Sequence, residues 1–308
     1  MKRQPTNIPA SVRQRLLDLS GRRGEDFQSI LVRFANERLL YRLATSPVAE
    51  RFVLKGAMLL YFWSAEPFRA TQDIDLLGRG EVTAESLGST FRDLCEMQVT
   101  DDGLKFDPTS VRVGLIREDQ EYGGFRVKLQ ARLTSARIDL QVDVGIGDAV
   151  VPRATVIDYP TLLDFPAARI RAYSREAAVA EKYHAMVELG LENSRMKDFF
   201  DVWALAREFD FDGARLASAI EATFRRRRTP IPEEPPVALT PAFAQEDAKL
   251  KQWRGFLARA RVRRDTPTFD QVIRDIATFL GPAAEAARQA DGRVAMRWAP
   301  GGPWAPAG

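Results

Sequence analysis

Residues 52–77, FVLKGAMLLYFWSAEPFRATQDIDLL, are the stretch around which the rest of the chain is organised. Val53 and Leu54 form a short apolar lead, and Lys55-Gly56-Ala57 lets the backbone approach another group closely. The apolar run 58–63 is long enough for a turn or two of buried helix, and 69–72 is polar. Asp73-Ile74-Asp75-Leu76-Leu77 then alternates charge with bulk. Residues two apart on a strand share a face, so Asp73 and Asp75 project together while Ile74 and Leu76 face a core. Two adjacent carboxylates repel unless a cation sits between them, and carboxylate oxygens are the hard donors that Mg²⁺ prefers. Asp-x-Asp also occurs at ordinary solvated strand ends. Here the apolar flanks and the preceding glycine turn favour a metal site.

Composition narrows the classes. The chain has 308 residues, enough for one large or two modest domains, and 45% of them are hydrophobic. Lys and Arg number 45 against 42 Asp and Glu, a net charge of +3, which leaves room for local basic patches suited to phosphate or nucleic acid. A single cysteine, Cys95, rules out an internal disulfide and a thiolate metal site. A single histidine, His184, rules out multi-His zinc chemistry. The first twenty residues lack the apolar core of a signal peptide, and no run approaches 18 apolar residues. A soluble, cytoplasmic protein without membrane contact is expected.

Local signals predict a first helix over 12–20 capped by Ser11, a break at Gly21–Gly24, and a second helix over 25–44. Phe27, Ile30, Leu31 and Phe34 make a core-facing stripe on the second helix. Arg33, Arg38 and Arg42 lie on or near another face, read as solvated, with phosphate contact as the alternative. A helix over 83–97 carries Leu87, Phe91 and Leu94 on one stripe. Strands follow over 106–116, 124–133 and 137–144, with a hairpin corner at Gly123-Gly124. On the third, Arg137, Asp139, Gln141 and Asp143 share the polar face. A neighbouring carboxylate would complete a metal site. Asp143, before the Gly145-x-Gly147 turn, is preferred and Asp139 is the rival; either could be an exposed strand residue.

The proline-bearing connection over 151–165 is expected to end a sheet domain of residues 1–165. A helical domain over 166–290 should follow. It opens at Ser174 and runs to a Gly190 cap, then resumes over 196–209. Lys182 reads as a surface lysine paired with Glu181 or Glu188, and Asp198 and Asp201 as acidic residues answering a helix dipole, unless all three belong to a site. Arg225–Arg228 is a basic run before a proline-rich linker or strap over 229–241. A helix over 249–264 sets Trp253 and Phe256 among Arg254, Arg259, Arg261, Arg263 and Arg264, either as base-stacking side chains or as core. A further helix is expected over 265–280, and 291–308 reads as a disordered tail.

The order KGAMLL, R-x-T-x-DIDLL, QVDVGIGD, AEKYHAMVELG, NSRMKDFFDVW resembles the AbiEii/AbiGii family of nucleotidyltransferase-like toxins over about residues 11–256. The resemblance implies an α+β fold, with a polymerase-β-like mixed sheet, flanking helices and a mostly helical C-terminal domain. It places a glycine turn at Gly56-Ala57 before the Asp73-x-Asp75 strand. Ala57 stands where the family has serine, so no hydroxyl is offered to a phosphate there. It carries the family's lysine motif onto Lys182 and its closing acidic motif onto Asp198 or Asp201, with Asp201 favoured. The implied chemistry is transfer of a nucleoside monophosphate from an NTP. Asp73, Asp75 and Asp143 would hold Mg²⁺ or Mn²⁺, and Lys55, Gly56, Ala57, Arg69, Thr71 and Lys182 would face the nucleotide. Lys182 and the carboxylates are expected to share one pocket. Some such toxins modify the 3′ end of tRNA, and a separately encoded winged-helix antitoxin is the implied partner.

Overall fold

Asn7, not Ser11, opens the first helix: its side chain accepts from the Ala10 amide, and α1 runs Ile8–Arg23 to a left-handed Gly24 cap. The computed structural model describes residues 7–64, 67–116, 123–260, 262, 267–289 and 295–307. They fall into two units, Met1–Gly147 with Thr155–Ala172, and Asp148–Ala154 with Tyr173–Gly308.

In the first unit α2 spans Phe27–Thr45, capped by Asp26. Then come β1 (Phe52–Lys55), a 3₁₀ turn over Gly56–Leu59, α3 (Leu60–Trp63), β2 (Ile74–Gly78) and α4 (Ala84–Glu96). Three long strands follow, β3 (Leu104–Ile116), β4 (Gly124–Leu133) and β5 (Ala136–Ile146). Within the stretch expected to be a mere connection the chain makes another strand, β6 (Thr155–Tyr159), which pairs with β7 (Ala168–Ala172). The result is a mixed seven-stranded sheet in the order β3-β4-β5-β2-β1-β7-β6. The sheet thus extends past residue 165, to Ala172, because β7 pairs in parallel with β1.

Helices α1, α2 and α4 pack on β4, β5, β7 and β3. They bury Val127, Leu129, Ala131, Ile138, Leu140 and Val142 on the strands, and Leu87, Phe91 and Leu94 on α4. The period-2 and period-3.6 stripes read from sequence therefore meet across this interface.

Arg38 and Arg42, expected on a solvated face, are instead buried around Asp102. Arg42 Nη1 lies 2.7 Å and Arg38 Nε 3.2 Å from Asp102 Oδ2. Asp102 Oδ1 also accepts from the Leu104 amide at 3.1 Å, which ties the start of β3 to α2. The third arginine, Arg33, stacks on the Tyr61 ring at 3.8 Å. Removing one member of a buried ion set strands the others, so Asp102→Ala should lower unfolding free energy by about 3–5 kcal/mol in urea titration. An unchanged midpoint would show that the two guanidinium groups find solvent unaided.

The second unit runs α5 (Arg175–Leu189), α6 (Met196–Glu208), β8 (Phe211–Asp212), α7 (Gly213–Arg226), α8 (Pro241–Gln245), α9 (Asp247–Ala260) and α10 (Phe269–Arg288). Ser174 and Gly190 cap α5 as read from sequence. The proline-rich strap buries Ala238 and Leu239. Trp253 is buried and stacks on Phe269 at 5.0 Å, and Phe256 packs on Phe200 at 5.6 Å. Trp253 is therefore core and Phe256 is half-buried against it at 5.5 Å, which favours packing over base stacking. Arg261, Arg263 and Arg264 lie outside the described residues. Asp265, where the last helix was expected to start, lies outside them too. The helix is entered at Thr268.

Part of the tail expected to be disordered is strand: β9 (Met296–Trp298) and β10 (Trp304–Pro306) join β8 in a three-stranded sheet. Its anchors are two indoles. Trp298 Nε1 donates to the Ala206 carbonyl at 2.6 Å and Trp304 Nε1 to that of Phe279 at 2.9 Å. A low-hydropathy, proline-rich stretch is held here by aromatic area, which composition alone undervalues.

Candidate active site

Register builds the first cluster. Lys55 of β1 is the cross-strand partner of Asp75 on β2. Asp75 is in register with Asp143 of β5, and Asp143 with Arg126 of β4. Four half-buried side chains thus stand in one row over adjacent strands, in the charge order plus, minus, minus, plus. Neighbouring strands lie about 4.8 Å apart, so the two carboxylates are close enough to interact strongly. Asp143 is held by a bidentate fork, with Arg126 Nε 2.8 Å from Oδ1 and Nη2 2.7 Å from Oδ2. Asp139 is exposed, bonds Gln130 at 2.9 Å and lies beyond the paired stretch of β2. Asp143 is therefore the carboxylate beside Asp75. Asp73, two residues upstream of Asp75, is exposed just before β2.

The close approach foreseen at Gly56 is to Asp75. Gly56 has φ +71°, and a Cβ built on it would come 2.0 Å from Asp75 Oδ2. Only glycine fits both the left-handed backbone and that contact. Ala57 is buried and brings only a methyl group. Arg69 and Thr71 are half-buried in the lead to β2. Asn36, buried on α2, donates from Nδ2 to the Gln72 carbonyl at 2.8 Å and so fixes the backbone directly before Asp73.

A second cluster forms inside the helical unit. Lys182 Nζ on α5 lies 2.6 Å from Asp198 Oδ1 and 2.8 Å from Asp201 Oδ2 on α6. Arg195 Nε is 2.6 Å from Asp198 Oδ2. Both aspartates are buried and the lysine is largely so. The surface-lysine and helix-dipole readings are displaced by buried ion pairs that join Lys182 and Arg195 to Asp198, and Lys182 to Asp201. Burial alone would raise the Asp198 carboxyl, but Lys182 and Arg195 outweigh it and hold it well below the usual carboxylate range.

His184, two residues beyond Lys182 on α5, is neutral. Arg227 Nη1 lies 3.2 Å from His184 Nδ1, and a guanidinium can only donate, so Nδ1 is the bare nitrogen and Nε2 carries the proton. Nε2 faces Thr229 Oγ1 at 2.9 Å and Glu188 Oε2 at 3.3 Å. Arg227 in turn donates to Asp148 at 2.9 Å, so one member of the arginine run is a buried brace. Burial first, and then Arg227, push the imidazole down to about 4, against the pull of Asp148. Between about pH 6.5 and 4 the unfolded chain takes up this proton and the folded chain does not. Stability should therefore fall as pH drops through that window, by up to about 3 kcal/mol. Denaturation at pH 7 and pH 4.5 should show a larger loss for wild type than for His184→Asn; equal losses would mean that His184 titrates normally.

Arg126, Asn36 and Arg195 were not singled out in the sequence. Arg126 follows from the register of β4 on β5. β4 and β5 are joined by a two-residue turn, Thr134-Ser135, which pairs Leu133 with Ala136. Counting back along both polar stripes from that turn brings Arg126 opposite Asp143. Asn36 and Arg195 carry no periodic signal.

Among the described residues no three acidic, His or Cys side chains gather into a ready-made metal cage. No helix among them is long and apolar enough to cross a membrane. The family model for the nucleotidyl transferase AbiEii toxin of type IV toxin–antitoxin systems matches residues 38–275. The chain belongs to the AbiEii family. Solved structures agree at the level of fold. JHP933 from Helicobacter pylori superposes with a TM-score of 0.51 at 14% identity, covering 86% of this chain and 96% of that one. A second H. pylori structure, provisionally described as a nucleotidyltransferase, gives a TM-score of 0.51 at 14% identity, covering 86% and 98%. No curated protein matches in sequence. This AbiEii chain thus joins a nucleotidyltransferase-type mixed sheet to a helical unit, each with its own cluster of charged side chains.

Proposed function

We propose that the chain transfers a nucleoside monophosphate from an NTP to a nucleic-acid hydroxyl, with the 3′ end of tRNA as the acceptor. The observation that carries this reading is the row Lys55, Asp75, Asp143, Arg126 with Gly56 pressed side-chain-free against Asp75. The donor set fits Mg²⁺ or Mn²⁺, because Mg²⁺ is commonly held by one or two carboxylates plus substrate phosphates, without a full protein cage. Asp73 and Asp75 are the carboxylates we assign to the metal, with Asp143 as a third donor drawn from its arginine fork. When bound, the metal would supply charge neutralisation at the triphosphate.

The chain's own residues do the rest by position and charge. Lys55, Arg69 and Thr71 offer donors to phosphate oxygens. The bare Gly56 backbone lets Asp75 lie against the turn, where a side chain would displace that carboxylate. Lys182 contributes a cation whose direction is set by two carboxylates, Asp198 and Asp201; these two we assign to orienting it. Phosphoryl chemistry of this kind is mostly positioning and charge stabilisation, which is consistent with a chain holding one histidine and one cysteine. The type IV family assignment supports a separate antitoxin as partner, which we take to be a winged-helix protein.

Purified protein with each of the four α-labelled NTPs, total tRNA and Mg²⁺ should label the RNA, and Asp73→Ala should abolish labelling. Failure of all four nucleotides with every metal tested would overturn the assignment.

A further inference from the structure

The helices of the first unit cover one face of β3, β4 and β5, and the opposite face of these strands is exposed or half-buried. Register sets out what that face carries. Lys105, Arg132 and Arg137 are cross-strand partners in one row, Arg112 and Lys128 in a second, and Arg126 stands in the row of Asp143 and Asp75. Among the described residues of this face, three carboxylates stand against these six cations. Asp143 lies in the Arg126 fork, Asp139 bonds Gln130 and Arg137, and Asp107 accepts from Thr109 at the β3 bulge. The excess among the described residues of the face is three positive charges. From Asp143 to Arg137 is six residues of strand, about 20 Å. That is the length of about six stacked nucleotides.

We propose that this face docks the sugar–phosphate backbone of a single RNA strand and leads its end to the carboxylate row. The cations are spread over three strands, and five of them, Lys105, Arg112, Lys128, Arg132 and Arg137, are exposed. A polar surface of this kind, with no aromatic side chain among the described residues of the face, grips phosphates and does not read bases. Specificity for one acceptor would have to arise elsewhere. The inference rests on the nucleotidyl-transfer reading only for the direction of the strand; the docking itself needs no nucleotide.

The test is fluorescence anisotropy of the full chain with a labelled mixed-sequence RNA of about twelve nucleotides, without NTP. Each phosphate contact adds about 0.7 to the steepness of log K against log salt, so Lys128→Ala/Arg132→Ala should reduce that slope by about 1.4. Affinity at 0.1 M salt should drop about tenfold with it. The control Arg22→Ala/Arg92→Ala removes two exposed cations from α1 and α4, on the helical side, and should bind as wild type. Equal binding and equal slopes for wild type and the Lys128/Arg132 variant would overturn the proposal, as would matched competition by polyglutamate, which would mark an acidic protein as the occupant. If α-labelled nucleotide is transferred while the variant binds RNA normally, the docking surface is wrong and the enzyme reading stands. If no nucleotide is transferred but RNA binding tracks these residues, the surface stands alone.

Discussion

Gly56→Ala is expected to abolish nucleotide transfer while leaving a folded protein. The added methyl would come 2.0 Å from Asp75 Oδ2 and 2.6 Å from its Cγ, well inside ordinary contact, and φ at this position is +71°. An alanine in the left-handed region costs about 1–2 kcal/mol, which a domain of ordinary stability survives. The clash is another matter. Relief requires Asp75 or the turn to move by more than an ångström, and a displacement of that size in a reacting constellation lowers rates by about a hundredfold or more. The distinguishing result is a near-normal melting curve with label transfer reduced at least about a hundredfold. Full activity in Gly56→Ala would mean that the contact between this turn and Asp75 has no part in the reaction.

Lys182→Met is expected to be the most destabilising single change in the helical unit. It takes from Asp198 and Asp201, both buried, the ammonium group that both of them bond. Breaking such a set costs about 3–5 kcal/mol, because the stranded carboxylates have lost water and partner alike. The coupling is checkable. Lys182→Met/Asp201→Asn removes one charge of each sign and should regain part of the loss, so the double variant should be more stable than the sum of the singles. Additive urea midpoints would show that Lys182 and Asp201 do not share an interaction. The low Asp198 carboxyl points the same way. A depressed acid contributes stability above its unfolded pKa and loses it only as pH falls below the ordinary carboxylate range, so this cluster should hold through mildly acid conditions.

Much of the site was legible because its residues sit on regular elements. The Asp73-x-Asp75 alternation placed a strand, and the polar stripe 137–143 offered Asp139 and Asp143 as the neighbouring carboxylate. The choice between Asp139 and Asp143 needed register, which follows from a turn, Thr134-Ser135, that carries no glycine and so gives no conventional hairpin signal. Arg38 and Arg42 were misplaced for a different reason. An amphipathic helix reads arginines as solvent-facing, whereas this helix meets a loop aspartate, Asp102, sixty or so positions away, and no local pattern announces that partner. Lys182 shows the same limit. Periodicity pairs it with neighbours on its own helix, and only the packing of α5 on α6 delivers Asp198 and Asp201. The C-terminal strands were missed because glycine and proline lower local hydropathy while Trp298 and Trp304 supply the burial. Local periodicity thus located the carboxylate strands, and tertiary charge pairing had to be seen.

The central claim is that the carboxylate row beside Gly56 serves attack at the α-phosphate of an NTP. Its most direct measurement is a parallel reaction with α-labelled and γ-labelled ATP, total tRNA and Mg²⁺, for wild type and Asp75→Asn, with the other three NTPs run in the same way. Wild type should leave α-label in the acceptor and γ-label in released pyrophosphate, and Asp75→Asn should give neither. Transfer of γ-label to the acceptor, or α-label incorporation that survives Asp75→Asn, would contradict it.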